Sequence, residues 1–341
     1  MTAYIIRRLL LLPLVLLGLI MLLFTLLMLL DPVERVSLYV NQPLPRGEIE
    51  ELVERHGLDD PIHVQFYRWI GKVVQGDLGW SRTAQRPVMA AILHFLPATL
   101  ELTLWSVLPI LFIGIWLGIL SALHHNRPLD HLLRLFAIVG WSFPTFVFGL
   151  LLLTVFYAKY SWFPAGRLSD WAVREVLSPG FARYTGLYTI DALLNLRLDI
   201  FWDALRHLVL PVITLSYLNW ALLLRVTRSS MLEALNQDYV RTARAKGLKE
   251  GTVIYTHVLR NALIPVTTVG GLLIISLLNG VVIIETVFNY KGIGWFFATA
   301  ALHLDVISVL GLTLFSGMIV AVSNLVVDVS YVFLDPRVRL R

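Results

Sequence analysis

Cysteine is absent from the 341 residues, which excludes disulfides, thiol nucleophiles and cysteine-ligated metals. Charge is scarce too: Asp, Glu, Lys and Arg make up 15% of the chain, against about 25% in an ordinary soluble domain. So few polar side chains cannot clothe a soluble globule. No glycine-rich loop ends in Gly-Lys-Ser or Gly-Lys-Thr, so no phosphate cradle of the ATPase type is present. The short alternating segments of a β-barrel are also lacking. What is there is 57% hydrophobic, with a mean hydropathy of +0.74. These features imply an all-α polytopic membrane protein.

Six uncharged or nearly uncharged runs predict six spans: 9–30, 102–122, 135–158, 207–224, 261–284 and 306–327. A run of about 20 residues crosses a hydrocarbon core of roughly 30 Å, and in lipid such runs must be helical to satisfy their backbone. The first run follows Arg7 and Arg8, as a signal peptide would. Its 22 residues exceed a signal core of about 7–15, so it reads as a retained span. Six spans put both termini on one side. If that side is the cytoplasm, the inner pieces are 1–8, 123–134, 225–260 and 335–341. They hold fourteen of the 28 basic residues and five acidic ones, a net +9 in a chain of net +5. The basic balance is thus a topology signal and calls for no nucleic acid.

The outer segment after the first span contains an acidic amphipathic stretch, Glu48 to Arg55. A second candidate helix, Pro61 to Lys72, has Phe66, Trp69 and Ile70 on its apolar side, and a turn follows at Gly76 to Ser81. The outer segment 161–206 carries Trp162, Phe163, Trp171 and Trp202, a density that fits an interfacial aromatic belt.

The loop from Arg225 to Arg260 is long, basic and helix-prone. Val240, Ala243 and Gly247 share a helical face of small residues, which would let another protein approach closely. Gly247 is placed to end that helix, because glycine tolerates φ > 0. A second helix, roughly Thr252 to Leu259, leads into the fifth span.

The runs Arg225 to Glu233, Asp238 to Leu248 and His257 to Pro265 resemble the dipeptide/oligopeptide/nickel permease family of ATP-binding-cassette importers. Further landmarks are Gly76-Asp-Leu-Gly79, Pro97 to Glu101, Ser142-Phe-Pro144, Glu285 to Phe288, Gly292-x-Gly294, Asn324 to Asp328 and Asp335-Pro-Arg337. Dipeptide-type members are the most similar, although Leu29-Leu30 stand where the family usually has Pro-Gly before Asp31-Pro32. The resemblance implies a type I importer permease with six transmembrane helices, multi-pass in a prokaryotic inner membrane. It implies a first helix with a long outer segment (1–95), a five-helix domain (96–334) and a short tail (335–341).

The resemblance also assigns residues and partners. Tyr239, Arg241, Thr242, Ala243, Arg244, Ala245, Lys246 and Gly247 would form the coupling segment gripped by an ATPase, with Glu250 orienting it through a local ion pair. Partners would be a homologous second permease, two ATPase subunits that use the ATP and Mg, an extracytoplasmic binding protein and the bilayer. This chain would bind no cofactor or metal and would be no enzyme.

Glu101 and Glu285, at or near span ends, are candidates for the pathway or a gate, since ionisable residues beside the membrane are often functional, and Pro144 is a third, since a proline kink in a span can shape a pathway. Glu101 either faces the pathway or caps span two. Asp305 reads as a solvated span end, and Asp328 as packing of span six. Gly114-x-x-x-Gly118 and Gly270-Gly271 permit close helix contact. A nickel or other solute importer, or an ion-coupled carrier, is the alternative. A carrier should show inverted repeats and broken helices, and no convincing repeat is visible.

Overall fold

The computed structural model describes residues 2–31, 35–36, 46–278 and 281–334. Pro32, Asp335 to Arg337 and the side chain of Asp328 lie outside the described residues. In chain order come α1 (Thr2–Leu27), α2 (Arg46–His56), α3 (Ile62–Val74), and a hairpin of β1 (Trp80–Ser81) and β2 (Arg86–Pro87). Then follow α4 (Val88–Leu123), α5 (Pro128–Ser142), α6 (Thr145–Lys159), α7 (Asp170–Leu177), α8 (Tyr188–Leu194), α9 (Leu198–Leu235) and α10 (Asp238–Ala245). The chain ends with α11 (Glu250–Leu278), α12 (Val282–Val287), α13 (Ile293–Leu302) and α14 (Val306–Leu334).

Among the described residues, α4, α9, α11 and α14 are each long and apolar enough to cross a membrane, and α5 with α6 makes a fifth crossing if taken together. The first expected span, 9–30, falls on α1, whose described apolar stretch, Pro13–Leu27, is shorter than those crossings.

Three expectations need correction. The third span is not one helix: α5 and α6 meet at 101° across Phe143 and Pro144. Pro144 stands just before α6 in extended conformation (φ −59°, ψ 133°), where its ring cannot clash with a preceding turn. The fifth span ends at Leu278, so Glu285 belongs to the separate short helix α12. The second helix of the loop is likewise no independent element. It is the first part of α11, joined through a π-helical turn at Val253–Val258. The sequence around Gly76 gave a turn but not the hairpin that follows it.

The centre of the bundle is the α4–α9 pair. Both helices extend past their apolar runs, to 36 and 38 residues, about 54 and 57 Å long. Lipid offers no hydrophobic drive between helices, so close contact depends on small residues. A Cβ on Gly118 would lie 2.4 Å from Thr227 Cβ, and one on Gly114 would lie 2.8 Å from Leu223 Cβ. Gly270 similarly lets α11 approach Leu111. Gly118→Val should therefore cost about 1–3 kcal/mol by overpacking. Thermal unfolding in detergent would show a lowered midpoint, whereas Gly180→Ala, whose Cβ would meet only Ser178 Oγ at 3.9 Å, should leave it unchanged.

Candidate functional site

The loop between α9 and α11 folds into a compact platform. Gln237 precedes α10 in extended conformation, and the helix lasts eight residues. Gly247 ends it at φ +76°: its N–H reaches Arg244 O (2.9 Å), and Leu248 N–H reaches back to Ala243 O (3.4 Å). This is the six-to-one closure that favours glycine just beyond a helix.

The small-residue face points inward, contrary to the expectation that it meets a partner. Val240 and Ala243 are buried against Met231 and Ala234 of α9, Val253 and Val258 of α11, and Ala122 at the end of α4. The helix period then turns Tyr239, Arg241, Thr242, Arg244, Ala245 and Lys246 outward, and all six are exposed, as is Gly247. The platform is held to its stem by Arg244, whose Nη2 and Nε donate to Glu250 Oε1 (2.6 Å) and Oε2 (3.2 Å). Those bonds, together with the attraction of the Glu250 charge, raise the Arg244 pKa. Arg241 is the more solvent-exposed of the two, with a longer contact to Asp238 at 3.4 Å. Beside the platform, a cleft of about 330 Å³ is lined by Ser230, Glu233, Gln237, Tyr239, Asn261 and Pro265.

A buried clamp that sequence reasoning missed lies next to the platform. Asp130, 0% exposed, accepts from Arg228 Nε and Nη2 (both 2.8 Å), Ser121 Oγ (2.6 Å) and Asn126 N (3.0 Å). It thereby ties the α4–α5 turn to α9. The available signal was Arg228 inside a long helical run and Asp130 two residues after a proline, but nothing in the sequence says that the two meet.

At the opposite face, the two glutamates are buried and engaged. Glu101 lies inside α4, thirteen residues after Val88, so it caps nothing. Its Oε1 accepts from Thr189 N (2.7 Å) and Thr189 Oγ1 (2.9 Å), and its Oε2 from Arg167 Nη2 (2.6 Å) and Tyr290 Oη (2.9 Å). The Arg167 guanidinium also sits 4.0 Å over the Tyr188 ring. Glu285 accepts from Thr99 Oγ1 (2.7 Å) and Trp295 N (2.9 Å). Here the Gly292-x-Gly294 spacing finds its reason. A Cβ on Gly292 would come 2.5 Å from Glu285 Oε2, and one on Gly294 would come 2.7 Å from Val282 N. Pro144 is exposed at the α5–α6 bend, and the structure does not bring it to either glutamate network.

Asp305 is not solvated. It is 2% exposed and accepts from Ser81 Oγ (3.0 Å), Thr83 N (2.9 Å) and Ser308 Oγ (2.7 Å), pinning the hairpin to the start of α14. The sequence places Ser81 and Asp305 224 residues apart, which hides the contact.

Two family models match this architecture. Residues 114–340 match the binding-protein-dependent transport system inner membrane component, and residues 1–103 match the N-terminal region of such membrane components. The chain belongs to this family. The permease is 44% identical over 291 residues to the probable D,D-dipeptide transport system permease protein DdpB of Escherichia coli, covering 85% of this chain and 84% of that one. It is 38% identical to the oligopeptide transport system permease protein AppB of Bacillus subtilis, with 99% of both chains covered. It is 40% identical to the di/tripeptide transport system permease protein DppB of Pseudomonas aeruginosa, again over 99% of both. The permease is thus an inner-membrane component of a transport system.

Two outcomes follow from the buried carboxylates. Arg167→Met leaves Glu101 buried without its cation, a loss of about 3–5 kcal/mol, and thermal unfolding should show it as a large drop in midpoint. For Asp305, burial raises the pKa from 3.8, but the donors from Thr83, Ser308 and Ser81 outweigh it and leave the folded value lowered. Its contribution is therefore complete above the unfolded pKa and lost as pH falls through the lower folded one. Hydrogen exchange at the hairpin amides should rise as pH falls below about 4, beyond the intrinsic exchange trend, and Asp305→Asn should abolish that excess.

Proposed function

We propose that the permease is one of two six-span subunits of an ATP-driven importer that translocates dipeptides or short oligopeptides. The observation that carries this reading is the outward face of α10, a basic surface rigidly backed by α4, α9 and α11. Two ATPase subunits, using ATP and Mg, sit beneath it at the cytoplasmic face, where both termini also lie. Each ATPase grips one such helix. A binding protein delivers the solute at the far side, and the second permease completes a path along the shared interface. The named relatives support peptide as the substrate class.

Within the permease, Tyr239 to Gly247 form the docking segment, with Arg241 and Lys246 facing acidic groups on the ATPase. Because Val240 and Ala243 are packed against the stem, a push on α10 moves the ends of α4, α9 and α11 together. Glu101 and Glu285 act at the outer gate as braces: they hold the elements around Arg167, Tyr290 and Trp295 to α4. Pro144 sets the bend that separates α5 from α6. The division at 1–95, 96–334 and 335–341 follows this scheme, with the first helix and outer segment preceding the five-helix translocation unit. ATP binding favours the outward state only to the extent that ATP and the loaded binding protein bind that state better.

Purification in mild detergent, followed by mass analysis of the retained chains, tests the assembly. A second permease and an ATPase should remain bound, and recovery of this chain alone contradicts the proposal. Arg241→Glu with Lys246→Glu should reduce ATPase retention without lowering the thermal midpoint. Unchanged retention would remove the docking role of α10.

A further inference from the structure

Helix α3 is held to the rest of the chain on two of its faces, and no residue of it is buried. Three faces follow from its period. Phe66 and Trp69 meet Phe24 of α1, with ring centroids at 5.1 and 5.6 Å. Gln65, Arg68 and Lys72 form a polar face. Gln65 donates to Leu58 O (2.8 Å) and Asp60 O (2.7 Å), and Arg68 pairs with Asp60 at 2.6 Å. The third face carries Tyr67, Ile70 and Val74, with His63 at its start; Tyr67 is 72% and Val74 79% exposed.

Depth comes from the α1 contact. Phe24 lies six residues before Leu30, where the uncharged run ends. At 1.5 Å per residue that is about 9 Å inside the apolar stretch. The α3 aromatic rings are therefore level with the hydrocarbon rather than above it. Leu22, Leu26 and Leu29 of the same apolar run are 58%, 45% and 78% exposed, so α1 and α3 both leave apolar side chains uncovered by the chain.

We propose that α3 is an interfacial helix embedded in the leaflet at which α1 ends. Tyr67, Ile70 and Val74 lie among the upper acyl chains, and Arg68 and Lys72 lie at the level of the headgroup phosphates. A helix with one apolar and one basic side is suited to that position. The embedded helix fixes the long segment between α1 and the hairpin to the bilayer plane. This placement goes beyond the transport reading and does not depend on it.

The absence of cysteine allows a direct test. Single cysteines replace Tyr67, Val74 and, as a water-exposed control, Gln85 in the full-length chain. Each variant is spin-labelled and reconstituted in phosphatidylethanolamine–phosphatidylglycerol vesicles. Collision with oxygen, which partitions into lipid, is compared with collision with a water-soluble nickel chelate. The oxygen-to-nickel ratio should be higher at 67 and 74 than at 85. Nickel-dominated relaxation at 67 and 74 would place the face in water and overturn the proposal. Protection from both reagents would mean that protein covers it and would overturn the proposal equally. Should Tyr67→Cys fail to reconstitute, Ile70→Cys, one helical turn away on the same face, replaces it.

Discussion

A chain with so little charge, folded in a solvent that cannot hydrogen-bond, has to satisfy each buried carboxylate from within. That constraint organises the permease. Asp130, Glu101, Glu285 and Asp305 are each surrounded by donors from distant parts of the sequence. Asp130 joins Ser121 of α4 to Arg228 of α9 at one end of that pair, glycines at 114 and 118 close its middle, and Glu101 ties α4 to Arg167, Thr189 and Tyr290. Deleting one partner of such a pair strands a buried charge.

The same logic gives the loop platform its character. Charges that would be costly inside the bundle are collected on a short helix whose inner face is purely apolar. Val240 and Ala243 seat it on three longer helices, and the Asp130 clamp holds the neighbouring α4–α5 turn. A force applied to the outer face of α10 therefore enters the bundle at one packed junction. The π-helical turn in α11 lies at that junction, where an irregular turn often marks a functional position.

Much of this was legible in the sequence. Long apolar runs gave most of the spans, because lipid leaves the backbone no choice but helix. Gly247 as a helix stop, Gly114 and Gly118 as contact points, and Glu250 as one half of a local ion pair all depend on local rules of spacing and conformation. What escaped depends on contacts between residues far apart. The inward turn of the Val240–Ala243 face is decided by apolar partners on α4, α9 and α11. The burial of Asp305 depends on hairpin groups 222 and 224 residues away, and the break at Pro144 on helices that take a new direction there. Glu101 and Glu285 were visible as unusual charges, but periodicity could not name their partners.

The central claim is that α10 moves with the ends of the helices beneath it. Cysteine-free wild type allows spin labels at only two chosen sites, Ala245 on α10 and His125 at the α4–α5 turn, both exposed. Pulsed electron resonance on the reconstituted complex would measure their separation with and without ATP. The account predicts the same distance distribution in both states while solute uptake proceeds. An ATP-dependent shift of α10 away from the turn would contradict it.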